Sequence, residues 1–164
     1  MPAQYQPDGA GSSERPGVIS VLGILSFINT GAFLLVYGIG WLAMSAVGRM
    51  PYDEFAAKAE EALGPMRSGM PEEDLAQMDI MLPLLHASGA LLLGLLFMRT
   101  LVRLVGTIGI WRAKRSGFYT YAAAQIIGIF LPMVVLPWSQ LGVIGPLMAV
   151  GMTAAFGSQL KRLN

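Results

Sequence analysis

The sequence predicts an all-α integral membrane protein, a four-helix bundle with short extracytoplasmic helices in its first loop. Three observations predict it. Hydrophobic residues make up 54% of the 164-residue chain and charged residues 13%, with a mean hydropathy of +0.58. Soluble domains carry roughly 25% charged residues. The apolar residues fall in long charge-free runs, each near the ~20 residues that cross a bilayer as a helix. The basic residues cluster in the segments that this topology places on one side.

Residues 1–17 are rich in Pro, Gly, Ser and Gln, and this composition predicts a flexible tail. A cleaved signal peptide is not expected. Arg15 is the only basic residue before the first apolar run. That run is about 30 residues long, beyond the 7–15 of a signal sequence. The first span covers about 18–44, with Tyr37 and Trp41 toward its far end, where aromatic rings favour the interface.

Residues 49–79 form the only long loop. A helix is expected from Tyr52 to Leu63, started by Pro51 and stopped by Gly64-Pro65. Glu54 and Lys58 form an i,i+4 pair in the favourable order. A second helix begins at Pro71 with Glu72, Glu73 and Asp74 in its first turn, which suits the helix dipole. No breaker separates it from the second span, at about 80–105, so the two are expected as one continuous helix. The third span covers about 118–136, with a kink at Pro132. The fourth covers about 138–157, after a tight turn at Pro137-Trp138-Ser139. Residues 159–164 form a basic tail.

Charge fixes the expected orientation. With the N-terminus cytoplasmic, eight of the eleven basic residues face inward. The loop 49–79 carries eight of the ten acids, which contribute little to topology. Both termini are therefore expected in the cytoplasm. The net charge of +1 gives no reason to expect a nucleic-acid partner.

The candidate chemistry is sparse. There is no cysteine, which excludes disulfides and thiolate metal sites. His86 is the only histidine. It lies about 10 Å along the helix from Asp79, too far to share a metal. No cofactor and no metal are expected, and His86 reads as a hydrogen-bonding group between helices. Asn29 and Gln125 read the same way, as intramembrane polar contacts. Arg99 and Arg103 have two readings. If the second span ends at Met98, both snorkel to the surface. If it ends at Trp111, Arg99 lies near mid-membrane. No Asp or Glu lies in any span, and an unpaired charge at depth is costly, so the surface position is favoured. Arg99, Arg103, Arg112, Lys114 and Arg115 are then contacts for lipid head groups or an anion.

Small residues recur at four-residue spacing at Ala90 and Gly94, Gly145 and Ala149, and Gly151 and Ala155, a spacing that permits close helix approach. The stripe Tyr121, Gln125, Gly128, Pro132 is expected at a helix–helix contact.

The segment GTIGIWRAKRSGFYTYAA resembles one that recurs in small four-span bacterial inner-membrane proteins of uncharacterised function. The resemblance covers about 20 residues and carries no activity. It implies the bacterial inner membrane and a cytoplasmic second loop.

With no catalytic group, the expected function is non-enzymatic. The first reading is an accessory or scaffold subunit acting through helix packing and the acidic loop, with membrane lipids and a membrane-protein partner or second copy as contacts. The second is a small oligomeric transporter or channel. The two differ on one point: transport needs Arg99, Arg103, Asn29 and Gln125 to converge on one cavity.

Overall fold

A computed structural model describes residues 4–136 and 142–164. Its described residues form five α-helices: α1 (Gly17–Val47), α2 (Tyr52–Arg67), α3 (Glu72–Trp111), α4 (Arg115–Phe130) and α5 (Ile144–Gly157). A 3-10 turn follows α4 at Leu131–Val134, and another follows α5 at Leu160–Arg162.

Three segments are long and apolar enough to cross a membrane: α1, α3, and α4 continued through its 3-10 turn. The 31 residues of α1 give about 46 Å, and the 40 of α3 about 60 Å, against about 30 Å of hydrocarbon. Their outward faces carry bare aliphatic side chains, such as Ile28, Leu35, Ile39 and Leu42 on α1. Such faces need an apolar surrounding.

α1 and α3 run antiparallel along the bundle. Glycines on each receive large side chains of the other, Gly23 facing Trp111 and Gly94 facing Trp41. α3 and α4 approach more closely still. A Cβ on Gly109 would stand 2.5 Å from the Gly117 Cα, so only glycine permits this backbone contact. The turn between them places Ala113 at φ 62°, a left-handed position usually taken by glycine. Lys114 N–H donates to Gly109 O and Ala113 N–H to Ile110 O, which ends α3 in a Schellman arrangement.

α3 is one unbroken helix through Pro83, as expected from the lack of a breaker after Pro71. Four expectations are corrected. α2 does not stop at Leu63 but continues through Pro65 to Arg67, where the Arg67 guanidinium bonds Glu60 at 2.7 Å and Asp79 at 2.9 Å. Pro65 removes a single N–H at the helix end, which these ion pairs offset. At Pro132 the helix tightens into a 3-10 turn rather than kinking within a longer span. The fourth apolar helix starts at Ile144, and its 14 residues give about 21 Å, short of a full crossing. The expected hairpin at Pro137-Trp138-Ser139 lies outside the described residues.

The fourth correction concerns the chain ends. Residues 4–16 and 159–164 are packed, not loose. Tyr5 is 2% exposed, and its hydroxyl donates to Ile110 O and Trp111 O at 3.0 Å each. Leu163 is fully buried beside Tyr5, Ile110, Ala113 and Phe156. Arg162 pairs with Asp8 and donates to the carbonyls of Ser12 and Glu14. Composition predicts disorder because it counts apolar residues over the segment, whereas two well-placed ones anchor these tails.

Candidate functional site

Asn29 on α1, Arg99 and Arg103 on α3, and Gln125 on α4 meet in one cleft. Each position follows from helix geometry. Arg99 and Arg103 are one turn apart and share a face of α3. That face meets α1 on one side and α4 on the other. Tyr121 and Gln125 are likewise one turn apart on the buried face of α4. α5 closes the opposite wall with small or flexible residues, Gly145, Met148, Ala149 and Met152. The cleft has a volume of about 530 Å³.

The Arg99 Nε donates to the Ala124 carbonyl at 3.1 Å, and Nη2 donates to Gln125 Oε1 at 2.8 Å. Gln125 in turn donates through Nε2 to the Tyr121 hydroxyl at 3.2 Å. Ala124 sits inside α4, where a carbonyl is normally screened by the side chain one turn on. That residue is Gly128, and a Cβ there would overlap the guanidinium of Arg99. Gly128 therefore opens the helix surface to the arginine. The expected contact stripe Tyr121, Gln125, Gly128 is buried as a unit against α3, and Pro132 begins the 3-10 turn beyond it.

Arg103 donates through Nη2 to Asn29 Oδ1 at 2.7 Å. Its Nε is buried with no partner among the described residues. Next to it, Ser26 and Thr107 hydroxyls lie 3.1 Å apart, and Thr107 donates back to the Arg103 carbonyl at 3.0 Å.

The sequence favoured a surface position for both arginines; the structure seats their head groups between helices, on α4 for Arg99 and α1 for Arg103. Gln125 is ten residues past the start of α4, about 15 Å along an apolar segment of 20 residues, or about 30 Å. The Arg99 head group is thus half-way along the segment. No acidic counterion lies in any span. The partners here are a glutamine oxygen, an asparagine oxygen and a backbone carbonyl. They satisfy N–H groups but leave both positive charges uncompensated. A guanidinium has five N–H donors. Arg99 uses two of them and Arg103 one among the described residues. The last acidic residue of the chain is Asp79, far up α3. The arrangement is a cationic cleft with spare N–H donors.

The other predicted groups lie elsewhere. Arg112, Lys114 and Arg115 are exposed at the end of the bundle that carries the chain termini. Arg115 is tied down, with Nε donating to Leu163 O at 2.9 Å. His86 sits at the opposite end. Its Nε2 lies 2.9 Å from Met50 O, and its ring is flanked by Tyr52 and Phe55. It joins α3 to the α1–α2 turn rather than to another span. Among the described residues no group of three or more His, Cys, Asp or Glu side chains is placed to hold a metal.

Sequence reasoning missed Tyr37, Thr100 and Gly128 as parts of the site. Gly128 carried a signal, one turn after Ala124 in a stripe already marked as a contact. Tyr37 was read only as an interface anchor. Comparison with protein-family models, with curated proteins and with solved structures finds no match.

Proposed function

We propose that this chain is a non-enzymatic multi-pass protein of the bacterial inner membrane, with both termini cytoplasmic, that binds an anion in the cleft between α1, α3, α4 and α5. It belongs on this reading with small transporters or channels. One observation carries it: Arg99 and Arg103 converge with Asn29 and Gln125 on one cavity, half-way along the apolar segment of α4, with neutral hydrogen-bond partners only. A charge at such depth is expensive and marks a ligand or ion path. Six basic residues remain on the terminal side, Arg15, Arg112, Lys114, Arg115, Lys161 and Arg162, against three in the loop 49–79, and they support the orientation.

The reading as an accessory or scaffold subunit stands second. It rests on α2, which has no buried residue and displays Asp53, Glu54, Glu60 and Glu61 beyond the bundle. Nothing in that loop requires two arginines in the cleft.

The test is calorimetric titration of inorganic phosphate into the purified protein in a neutral detergent. A hydrogen bond to a charged group contributes about 1.5–3 kcal/mol. Arg99→Ala and Arg103→Ala should each weaken binding by about tenfold to a hundredfold. Saturable binding that both substitutions leave unchanged overturns the proposal, and so does the absence of binding to the wild-type protein.

A further inference from the structure

The anion site does not end at Arg99. A second cavity, of about 710 Å³, lies on the far side of that residue. The two cavities share Tyr37, Arg99, Gly145 and Ala149. The remaining wall of the second is apolar, with Leu96, Ile129, Phe130, Pro132 and Met133. Arg99 is the only charged side chain on it among the described residues. The two cavities adjoin where α5 presents Gly145 and Ala149, and a Cβ on Gly145 would meet nothing within 4 Å.

We propose that the ligand of this cleft is an amphiphilic anion, with its head group on Arg99 and Arg103 and its hydrocarbon tail in the apolar cavity beyond. This rests on the anion-binding reading above and names the class of ligand. A small hydrated ion gains nothing from an apolar chamber next to its site, whereas a tail fills it. The order of the chambers also fits. Arg103 is nearer than Arg99 to the end that carries Arg112, Lys114 and Lys161, and the apolar cavity lies on the opposite side of Arg99, toward Pro132 and Met133. A lipid-like anion whose head faces the basic end directs its tail that way.

The proposal is tested with two probes, inorganic phosphate and dodecyl phosphate, each titrated into the protein in dodecyl maltoside. The neutral detergent supplies a tail without a charge. Dodecyl phosphate should bind at least tenfold more tightly than inorganic phosphate. Met133→Trp, which fills the apolar cavity, should remove that advantage and leave phosphate binding within twofold of wild type. Leu96→Trp fills it from α3 and serves where the first variant does not fold. Arg99→Ala should weaken both probes. Equal affinity for the two probes overturns the tail site while leaving the anion site standing, as does an advantage that survives both tryptophan variants. Loss of all binding in wild type sinks both readings. Mass spectrometry of lipid retained by the purified protein distinguishes the sources: a stoichiometric anionic phospholipid identifies a bilayer lipid, and a single-chain acid identifies a free amphiphile.

Discussion

The contact of α3 with α4 and the seating of α5 use the same residues to opposite ends. Both are rich in glycine. On the α3–α4 side, a Cβ at Gly106 would stand 2.6 Å from the Tyr121 backbone nitrogen, and one at Gly117 would stand 2.5 Å from the Gly109 Cα. These glycines are filled to contact. On α5, a Cβ at Gly145 or Gly151 would meet nothing within 4 Å. Gly145 thereby makes room in the cleft, and Gly151 lies on the exposed face. The difference teaches where this molecule is rigid and where it is open. α1, α3 and α4 form a close-packed frame. α5 leans against it mainly through Phe156, whose ring meets that of Tyr121 edge-on at 5.0 Å, and through Gly157 against Phe118. The arginines project from the frame into the space that α5 leaves.

The largest expected effect breaks the frame. Gly117→Val places two methyl groups into the backbone of α3 and should destabilise the protein by about 3 kcal/mol or more, since overpacking alone costs about 1–3. Gly145→Val on α5 should stay within about 0.5 kcal/mol of wild type. Thermal unfolding in detergent measures both. Equal shifts in the two variants would erase the distinction between the regions.

Gly128→Ala tests the border between frame and cleft. Its single methyl group overlaps the Arg99 guanidinium, which is the far end of a flexible side chain. The arginine swings away and loses its bonds to Ala124 O and Gln125. Phosphate binding should fall by about tenfold, the worth of one charged hydrogen bond. Unfolding should move much less than in Gly117→Val. A variant that unfolds early yet binds normally would place Gly128 in the frame and not in the site.

The sequence disclosed the frame better than the cleft, for physical reasons. Charge-free runs and the missing breaker after Pro71 are properties of a single segment, so α1 and α3 were legible. The shortness of α5 was not, because hydropathy measures apolar length and says nothing of where the backbone begins to coil. The partners of Arg99 were not legible because they come from α4. A carbonyl freed by Gly128 and an amide at Gln125 exist for Arg99 only once two helices are crossed at the right height. Period and charge count do not carry that information. Tyr5 was lost in the same way, as one anchoring ring inside a segment of disordered composition.

Tyr5→Phe addresses the frame at its terminal end. It keeps the buried ring and removes the hydroxyl that bonds Ile110 O and Trp111 O at the end of α3. The loss should be about 1 kcal/mol, the net worth of a typical buried hydrogen bond. Unfolding again measures it. No effect would mean that the tail is held by Leu163 and Arg162 alone.

The smallest expected effect sets the two kinds of arginine side by side. Arg162, like Arg99, donates to backbone carbonyls, but it also has a carboxylate, with Nη1 2.9 Å from Asp8 Oδ2. The hydrogen bond from Arg162, followed by that from the Ser12 N–H, holds the Asp8 carboxyl below its ordinary value of 3.8. A carboxyl lowered in the folded state contributes stability above the ordinary value and loses it as pH falls through the folded one. The Ala10 and Ser12 amides, which both bond Asp8 Oδ1 at 2.9 Å, should therefore show almost no shift between pH 7 and 5 and titrate with a midpoint below 3.8. NMR of the two amides reads this, and Asp8→Asn should abolish the titration with almost no change in unfolding, because exposed ion pairs contribute little. That small result sharpens the contrast. A charge at the water-facing end of the frame is cheap whether paired or not. Arg99 and Arg103 have no such carboxylate, only the neutral oxygens of Ala124, Gln125 and Asn29, and that difference is what the anion titrations probe.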